Sequence, residues 1–290
     1  MGVVALRMRH HLGAALSKLR FEPTPARIRA FVDGEPALDS RQALLVWEPR
    51  RLIPVYAVPM DDLVATATPT DPQPEPQDLT SVPPMLGPMD FWLHTIPGTV
   101  LDLHVGARRL PECGFLVQDP DLAGIVVLDF EAFDEWRAED EVLVGHPHDP
   151  FKRIDVLASS RRLEVSLSGT VLAQTDRALM LLETHLPVRY YIPAEDVRMD
   201  LLVPSTTTSA CAYKGVGSYL STSDAHEAGR DIAWHYPDPL DDALRVRDHV
   251  CFWSERTDLV VDGTSVPRPI TPWSRREEQA AADPERLQFG

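Results

Sequence analysis

The sequence predicts a mainly β protein with two tandem antiparallel β domains, an N-terminal helix and few other short helices. Three observations lead to this fold class. The chain has 290 residues, which is enough for two domains with their own cores. A segment near the N-terminus is repeated in the second half of the chain. In both copies the apolar residues form short runs with a period of two or none, bounded by turn residues, which is typical of strands.

The repeat joins residues 28–63 to residues 163–197. The first copy begins IRAFVDGEPALDS and the second begins LEVSLSGTVLAQT. A weaker likeness continues further along, where FLVQDPDLAG resembles AWHYPDPLDD. We interpret the chain as one ancestral domain copied in tandem. The matching positions are Gly34 with Gly169, Ala43 with Ala178, Leu44 with Leu179, Glu48 with Glu183, Tyr56 with Tyr190, Pro59 with Pro193 and Asp62 with Asp196.

Each copy is expected to contribute three strands near its beginning. Asp33-Gly34 and Ser168-Gly169 each separate two apolar runs, as in a tight hairpin. Helix is predicted for the amphipathic N-terminal segment, for a short piece at Glu131–Ala138 and for the charged tail after Trp273. The proline-rich residues 66–88 are expected to form an exposed extended loop. The predicted strands are Ile28–Asp33, Ala43–Glu48, Val55–Val58, Leu163–Leu167, Ala178–Glu183 and Val188–Ile192.

The repeat also predicts how the chain divides into domains. Residues 1–27 form an N-terminal helical segment, and residues 28–145 form a first, degenerate β domain. Residues 146–160 serve as a linker, residues 161–266 form a second, complete β domain, and residues 267–290 form a tail. Pairing of the two copies within one chain predicts a monomer that contains an intramolecular pseudo-dimer.

The composition excludes several classes of partner. Acidic side chains outnumber basic ones 44 to 28, giving a formal charge of −16, so neither nucleic acid nor an anionic membrane is expected as a partner. No unbroken apolar run of secretory or membrane-spanning length is present, which predicts a cytoplasmic protein. The three cysteines lack paired spacing, so we expect no disulfide framework, no metal site and no cofactor.

Lys214 is the first candidate site residue. The chain has only three lysines among its 28 basic residues, and this one lies between glycine and aromatic residues in the segment SACAYKGVGSYLS. A lysine can act as a nucleophile or base when it loses its proton, or as a fixed cation for an anion. Cys211, three residues earlier, would be activated by that ammonium or would be a buried apolar residue. Gly215 lies in a GVGS sequence that either binds an anion through backbone N–H groups or only forms a turn.

The other candidates follow from strand alternation. On the strand Val188–Ile192, Arg189 and Tyr191 share one face, and Asp196 lies just beyond it. Glu183 on the adjoining strand would provide a second carboxylate for acid–base chemistry, or would form a cross-strand ion pair with Arg189. The remaining aromatic candidates, which would line a pocket or belong to the core, are Tyr219, Trp234 and Tyr236.

Four ordered segments of the second copy carry a resemblance to a known family. They are RALMLLETHLPVRYYIPAEDV, SACAYKGVGSY, AWHYPDPL and HVCFWSERTDLVVDG. The second copy resembles the bacterial domain-of-unknown-function family 427, whose loop usually reads Cys-Pro-x-Lys-Gly, although Ala212 replaces that proline here. The resemblance implies a β-tent-like antiparallel domain and a family sometimes labelled nucleotidyltransferase-like. The motif positions are Glu183, Arg189, Tyr191, Asp196, Cys211, Lys214, Gly215, Tyr219, Trp234 and Tyr236.

The leading functional hypothesis is a pocket for a small anionic metabolite in the second domain. Arg189, Tyr191, Gly215, Tyr219, Trp234 and Tyr236 would bind the ligand, and any catalysis would use Lys214, Asp196, Cys211 and Glu183. One alternative is a non-catalytic module that binds a small ligand or a peptide. The other is nucleotidyl transfer, although the usual motif of that chemistry, Gly-Ser followed by paired aspartates, is missing from the sequence. Whether the protein is an enzyme is left open.

Overall fold

The computed structural model of the protein describes residues 5, 8–75, 77, 85–224, 226–271 and 273–274. The chain divides into two compact units, Met1–Asp149 and Pro150–Gly290. The helix expected in the charged tail after Trp273 falls on residues that lie outside the described ranges.

The first unit is built mainly from short antiparallel strands. Its described residues also contain four short 3-10 helices, at Met60–Asp62, Pro88–Asp90, Pro120–Leu122 and Phe130–Ala132. The helix and strands are α1 (Met8–Ala15), β1 (Arg20–Pro23), β2 (Ile28–Val32), β3 (Glu35–Ser40), β4 (Leu44–Trp47), β5 (Val55–Pro59), β6 (Thr66–Pro69), β7 (Gly98–Val105), β8 (Arg108–Val117), β9 (Ile125–Leu128), β10 (Glu135–Ala138) and β11 (Glu141–Val142).

The second unit contains the same kind of elements. Its described 3-10 helices are Ala194–Asp196, Met199–Leu201, Glu227–Gly229 and Asp241–Val246. Its strands are β12 (Ile154–Ala158), β13 (Leu163–Leu167), β14 (Thr170–Thr175), β15 (Leu179–Glu183), β16 (Arg189–Pro193), β17 (Leu202–Cys211), β18 (Gly215–Thr222), β19 (Ala233–His235), β20 (His249–Phe252), β21 (Asp258–Val261) and β22 (Thr264–Val266).

The two units have the same strand order. The larger sheet runs β1-β4-β5-β9-β8-β7-β6 in the first unit and β12-β15-β16-β20-β19-β18-β17 in the second. The smaller sheet runs β3-β2-β10-β11 in the first and β14-β13-β21-β22 in the second. The predicted fold class, mainly β with two tandem antiparallel domains, is therefore confirmed.

Strand register extends the match beyond the repeat that is visible in the sequence. Ala57 pairs with Val127 and Val127 with Phe115 in the first unit. In the second unit Tyr191 pairs with Cys251 and Cys251 with Trp234, at the same places in the strand order. The weak likeness between FLVQDPDLAG and AWHYPDPLDD thus reflects equivalent strands.

The central strands β16 and β20 of the larger sheet in the second unit are largely buried on both faces. Tyr190 and Ile192 point into the core shared with the smaller sheet, whereas Tyr191 points to the opposite face. A strand buried on both sides has no polar face, which explains why several runs show no period of two. The opposite face carries most of the predicted site residues.

The two predicted hairpin turns are confirmed by their backbone angles. Asp33 and Gly34 have φ of 51° and 79°, and Ser168 and Gly169 have φ of 50° and 84°. Two successive positive φ angles give the turn whose twist matches that of the flanking strands. These turns fix the register of β2 with β3 and of β13 with β14.

Several expectations about local structure are wrong. In the segment 131–138 only residues 131 and 132 are helical, as the end of the 3-10 helix Phe130–Ala132, and β10 follows as a strand paired with β2. Pairing with β2 and burial of Trp136 in the core provide the reason, because tertiary contacts override the weak helix propensity of the segment. The assigned linker contains β12, the assigned N-terminal helical segment contains β1, and the assigned loop begins with β6. These are short edge strands whose exposed residues give no clear burial pattern.

The N-terminal helix is present as α1, over Met8–Ala15. The hairpin β17–β18 corresponds to β6 and β7 in strand order. The difference lies in the connection, which is three residues long in the second unit and 28 in the first. In the parts of the chain that the structure describes, no helix combines the length and apolarity needed to cross a lipid bilayer.

Candidate functional site

The candidate site lies on the face of the larger sheet that points away from the core of the second unit. Strand register places Tyr191 beside Cys251, Cys251 beside Trp234 and Trp234 beside Tyr219, in one row across four strands. We call this surface the aromatic face. Leu179, Leu181, Ala243 and Val246 add apolar contacts to it.

A buried ion pair closes one side of the aromatic face. The Nζ atom of Lys214 lies 2.6 Å from Oε2 of Glu183, and both side chains are almost fully buried. Glu183 ends β15, the second strand of the sheet, while Lys214 lies between β17 and β18 at the far edge. Such distant strands bring their side chains together only because the sheet is strongly curled. The ion pair of Glu183 and Lys214 therefore connects β15 to the tip of the hairpin β17–β18, and we call this connection the latch.

A second lysine binds the same carboxylate. The Nζ atom of Lys152 lies 3.0 Å from Oε1 of Glu183, so each carboxylate oxygen has its own ammonium. Lys152 also lies above the ring of Tyr213, 5.4 Å from its centroid. Two of the three lysines in the chain thus meet at one glutamate. We call Lys152, Glu183 and Lys214 the lysine cluster.

The electrostatics of the cluster define the charge states of its members. Burial alone would raise the pKa of Glu183, but the two ammoniums outweigh burial and lower it to about 2. Burial alone would lower the pKa of Lys214, but Glu183 outweighs burial and holds it well above its usual value. Lys214 is therefore a fixed cation in this arrangement, which favours the anchoring role over that of a neutral nucleophile.

Gly215 allows the hairpin tip to pack closely. It has a φ of +89°, and a Cβ atom there would lie 3.1 Å from the carbonyl oxygen of Asp238. The backbone N–H of Leu240 donates to the carbonyl oxygen of Lys214 at 3.3 Å. The observed role of Gly215 is thus to bring the tip against the segment that follows β19.

Arg189 lies on the aromatic face but pairs with a residue that sequence reasoning missed. Its guanidinium donates two hydrogen bonds of 2.6 Å to the oxygens of Glu255, and it lies 5.2 and 5.6 Å from the ring centroids of Trp253 and Trp234. The alternative of a cross-strand ion pair between Glu183 and Arg189 is therefore wrong. Burial tends to lower the pKa of Arg189, but Glu255 outweighs it and raises the pKa.

The predicted aromatic residues form one cluster. The indole Nε1 of Trp234 donates to the hydroxyl of Tyr191 at 3.3 Å. Tyr191 and Tyr236 have ring centroids 6.5 Å apart, and Tyr219 lies 6.4 Å from Trp234. Burial raises the pKa of Tyr191 and of Tyr236, so both phenols stay protonated at neutral pH. Lys214 interacts electrostatically with Tyr191 and Tyr236, which connects the aromatic residues to the lysine cluster.

Asp196 does not join the site. Its Oδ2 accepts hydrogen bonds from Thr175 Oγ1 at 2.6 Å and from Arg177 Nε at 2.9 Å. The first unit has the same arrangement, in which Ser40 donates to Asp62 at 2.5 Å. Because Asp62 and Asp196 occupy equivalent positions, this aspartate serves the fold in both units. The expectation that it shares a cleft with Lys214 is wrong.

In the first unit, the glutamate equivalent to Glu183 is hydrogen-bonded by other residues of the same unit. Glu48, the counterpart of Glu183, accepts hydrogen bonds from Arg51 Nε at 3.3 Å, His94 Nδ1 at 3.0 Å and the backbone N–H of Thr95 at 2.9 Å. Arg51 also donates to three backbone carbonyls of residues 90–93. Here the buried carboxylate organises the long connection between β6 and β7.

The aromatic face itself is not shared by the two units. Register aligns Arg189 with Val55 and Tyr191 with Ala57. It also aligns Tyr219 with Val100, Trp234 with Phe115 and Cys251 with Val127. Most of the polar groups of the second unit are therefore apolar in the first.

Two cavities lie near these groups. One of about 20 Å³ in the second unit is lined in part by Arg189 and Ser254, and one of about 10 Å³ in the first is lined in part by Arg51 and Asp129. Each has room for about one water molecule. Among the described residues, no three His, Cys, Asp or Glu side chains are grouped to hold a metal ion.

Cys211 is the half-buried cysteine beside Lys214, whereas Cys113 and Cys251 are buried. Burial raises the pKa of each of those two thiols to about 12. We expect iodoacetamide at pH 7.5 to alkylate Cys211 first in the native protein and the other two only after unfolding. Peptide mass spectrometry would measure this order, with Cys211→Ser as the control. Equal labelling of all three cysteines would contradict it.

The second unit is thus a curled antiparallel β domain with a latched, aromatic inner face. Residues 155–263 match the family model NTP_transf_9, described as "Domain of unknown function (DUF427)". This match confirms the resemblance seen in the sequence of the second copy. The matched residues lie in the second unit, so the relation of the first unit rests on its strand order. No match to a curated protein was found.

Lys152 and Glu255 are the main residues that sequence reasoning missed. The scarcity of lysine that marked Lys214 applied equally to Lys152, so that signal was present in the sequence. Glu255 lies within the family-like segment HVCFWSERTDLVVDG, but nothing in its spacing indicated that Arg189 would be its partner.

Proposed function

We propose that the second unit binds a small organic anion beside Lys152 and Lys214. The observation that carries this proposal is the pair of ammoniums held at a single buried carboxylate. Bringing lysines out of water costs free energy unless each is paired. An anion at this position would supply a further partner.

The first unit indicates that the fold does not require this arrangement. It builds the same sheet with Val55, Ala57 and Val100 where the second unit has Arg189, Tyr191 and Tyr219. Its glutamate is satisfied by Arg51, His94 and Thr95, with no lysine. Polar groups that one copy dispenses with are candidates for function in the other.

The surroundings suit a ligand with a flat or apolar body. Tyr191, Trp234 and Tyr236 would provide aromatic surfaces, and Arg189 lies between two indoles. The side chain of Lys152 keeps 11% of its surface exposed, and Cys211 and Trp253 are half-buried. The ligand would approach from this side, with the hairpin tip at residues 212–214 moving to admit the body.

The charge states favour binding over catalysis. Lys214 is held protonated, Glu183 is held ionised, and Asp196 lies elsewhere. Cys211 is the remaining nucleophile among the candidates. The proposal is therefore a ligand-binding module, and consumption of the ligand over time would show an enzyme instead. A monomeric state and a cytoplasmic location stay predictions from the sequence.

A thermal-shift screen of organic anions would test the proposal. We expect a subset of carboxylates or phosphates at millimolar concentration to raise Tm by a few degrees, since a ligand at about 100 times its Kd stabilises by about 2.7 kcal/mol. Lys214→Met should abolish the shifts because one anchor is lost. Lys18→Met, which removes the exposed third lysine, should retain them.

Each variant is compared with its own ligand-free Tm, so a change in basal stability does not affect the result. An unchanged hit profile in Lys214→Met would overturn the proposal. A nucleoside triphosphate with magnesium is included in the screen. Magnesium-dependent binding of that probe alone would favour nucleotidyl transfer, which the name of the matched family suggests.

A further inference from the structure

We infer that the site selects a singly charged carboxylate over dianions and neutral analogues, an inference that rests on the proposed function. The lysine cluster contains two ammoniums and one carboxylate, which leaves one positive charge in excess. The neighbouring pair of Arg189 and Glu255 is balanced. One negative charge on the ligand would make the whole site neutral.

The first unit supports this charge count. Glu48 faces one guanidinium, from Arg51, and one imidazole, which can donate Nδ1–H without carrying a charge. With a neutral imidazole, the carboxylate of Glu48 and the guanidinium of Arg51 balance each other within the chain. The second unit differs from it by one ammonium, so the charge it lacks is a single negative one.

Burial makes the charge count decisive. The side chains of Lys214 and Glu183 are 9% and 4% exposed, so an unbalanced charge there is poorly screened by water. A neutral ligand would leave the excess positive charge of the cluster uncompensated. A phosphate monoester, with a charge close to −2 at neutral pH, would leave an unpaired negative charge instead.

The geometry of Glu183 indicates why the anion would be a carboxylate. Its two oxygens lie 2.6 and 3.0 Å from the two Nζ atoms, one oxygen to each ammonium. A second carboxylate has the same oxygen spacing, so it can bridge the same two ammoniums from the other side. Lysine suits this arrangement because its ammonium can donate in three directions, whereas a guanidinium tends to bind both oxygens of one carboxylate.

Four probes with one aromatic body test the inference: benzoate, benzamide, benzenesulfonate and phenyl phosphate, titrated by calorimetry at pH 7.5. We expect benzoate to bind at least about tenfold more tightly than benzamide and phenyl phosphate. Benzenesulfonate, which has one charge but three oxygens, should rank between benzoate and benzamide. Lys18→Met should keep this order.

Lys152→Met provides the sharpest variant, because it leaves the pair of Glu183 and Lys214 intact and makes the cluster neutral. Benzoate should lose its advantage over benzamide in this protein. Lys152→Gln, which keeps a donor without the charge, gives the same test if the methionine variant fails to fold. Unchanged preference for benzoate in both variants would overturn the inference.

The outcomes separate this inference from the proposed function. Tighter binding of phenyl phosphate than of benzoate to the unaltered protein would refute the charge rule and leave anion binding in place. Absence of binding by all four probes would also refute the charge rule. The proposed function would then still be tested by the wider screen of organic anions. Failure of every anion in that screen would remove the proposed function itself.

Discussion

Replacing Glu183 with glutamine is expected to lower the free energy of unfolding of the second unit by about 3 to 5 kcal/mol. The variant leaves Lys152 and Lys214 close together in a buried position without their carboxylate. Lys214→Met should cost less, about 1 to 3 kcal/mol, because Glu183 keeps the ammonium of Lys152. The latch between β15 and the hairpin β17–β18 would be lost in both variants.

Hydrogen exchange in β15, β16 and β18 would report this change for the second unit specifically. The double variant Glu183→Gln/Lys214→Met should cost less than the sum of the single changes, since it removes one of the two ammoniums left unpaired. Glu195→Gln, at a side chain 79% exposed, is the control and should change stability by less than about 0.5 kcal/mol. Equal effects of Glu183→Gln and Glu195→Gln would show that the cluster does not stabilise the fold.

The same carboxylate gives the unaltered protein a signature in acid. The folded pKa of Glu183, about 2, lies below the ordinary value of 4.5, so its contribution is complete above pH 4.5 and is lost as the pH falls toward 2. The contribution amounts to about 3 kcal/mol. Glu183→Gln should lack this part of the acid sensitivity, which unfolding by urea at pH 6, 4 and 3 would measure.

The second large effect is expected at Arg189. Arg189→Met would leave Glu255 as an unpaired carboxylate that is 1% exposed, at a cost of about 3 to 5 kcal/mol. It would also remove the contacts of the guanidinium with Trp234 and Trp253. Arg189→Lys should cost less, because it keeps the charge and loses the second hydrogen bond.

Urea unfolding, with hydrogen exchange in β16 and β20 as the probe, would measure the loss of stability. Replacing both partners, as Arg189→Met with Glu255→Leu, should restore part of the lost stability, since no buried charge is then left alone. Arg198→Met, at a side chain 58% exposed, is the matched control. If Arg189→Met is as stable as that control, the buried pair contributes nothing and the structural interpretation is wrong.

Prediction of the site from sequence succeeded where the information was local. Strand alternation placed Arg189 and Tyr191 on one face, and the structure confirms that they share it. The scarcity of lysine drew attention to Lys214, which is nearly buried and paired with Glu183 in the lysine cluster. The pairing of charges could not be predicted in this way. Glu183 and Arg189 are close in sequence, yet each takes a partner at least 31 residues away.

Asp196 shows the opposite error, in which a residue with a structural role was predicted to belong to the site. Its position after a strand, near other polar residues, suggested a site role, but it binds Thr175 and Arg177 in a motif that the first unit repeats. The aligned pair of Asp62 and Asp196 was visible in the sequence. The first unit keeps this aspartate although it lacks most of the aromatic face. That comparison alone could have indicated a structural role for Asp196.

The sequence by itself determined the fold class, the tandem repeat, the two hairpin turns and the family of the second unit. These depend on short-range patterns, such as alternation along a strand and the positive φ angles at Asp33-Gly34 and Ser168-Gly169. Only the tertiary structure decided that β15 and the hairpin tip meet, because the curl of a seven-stranded sheet is a collective property of all its strands. That curl buries two lysines against one glutamate, and burial strengthens the electrostatic interactions between these charges.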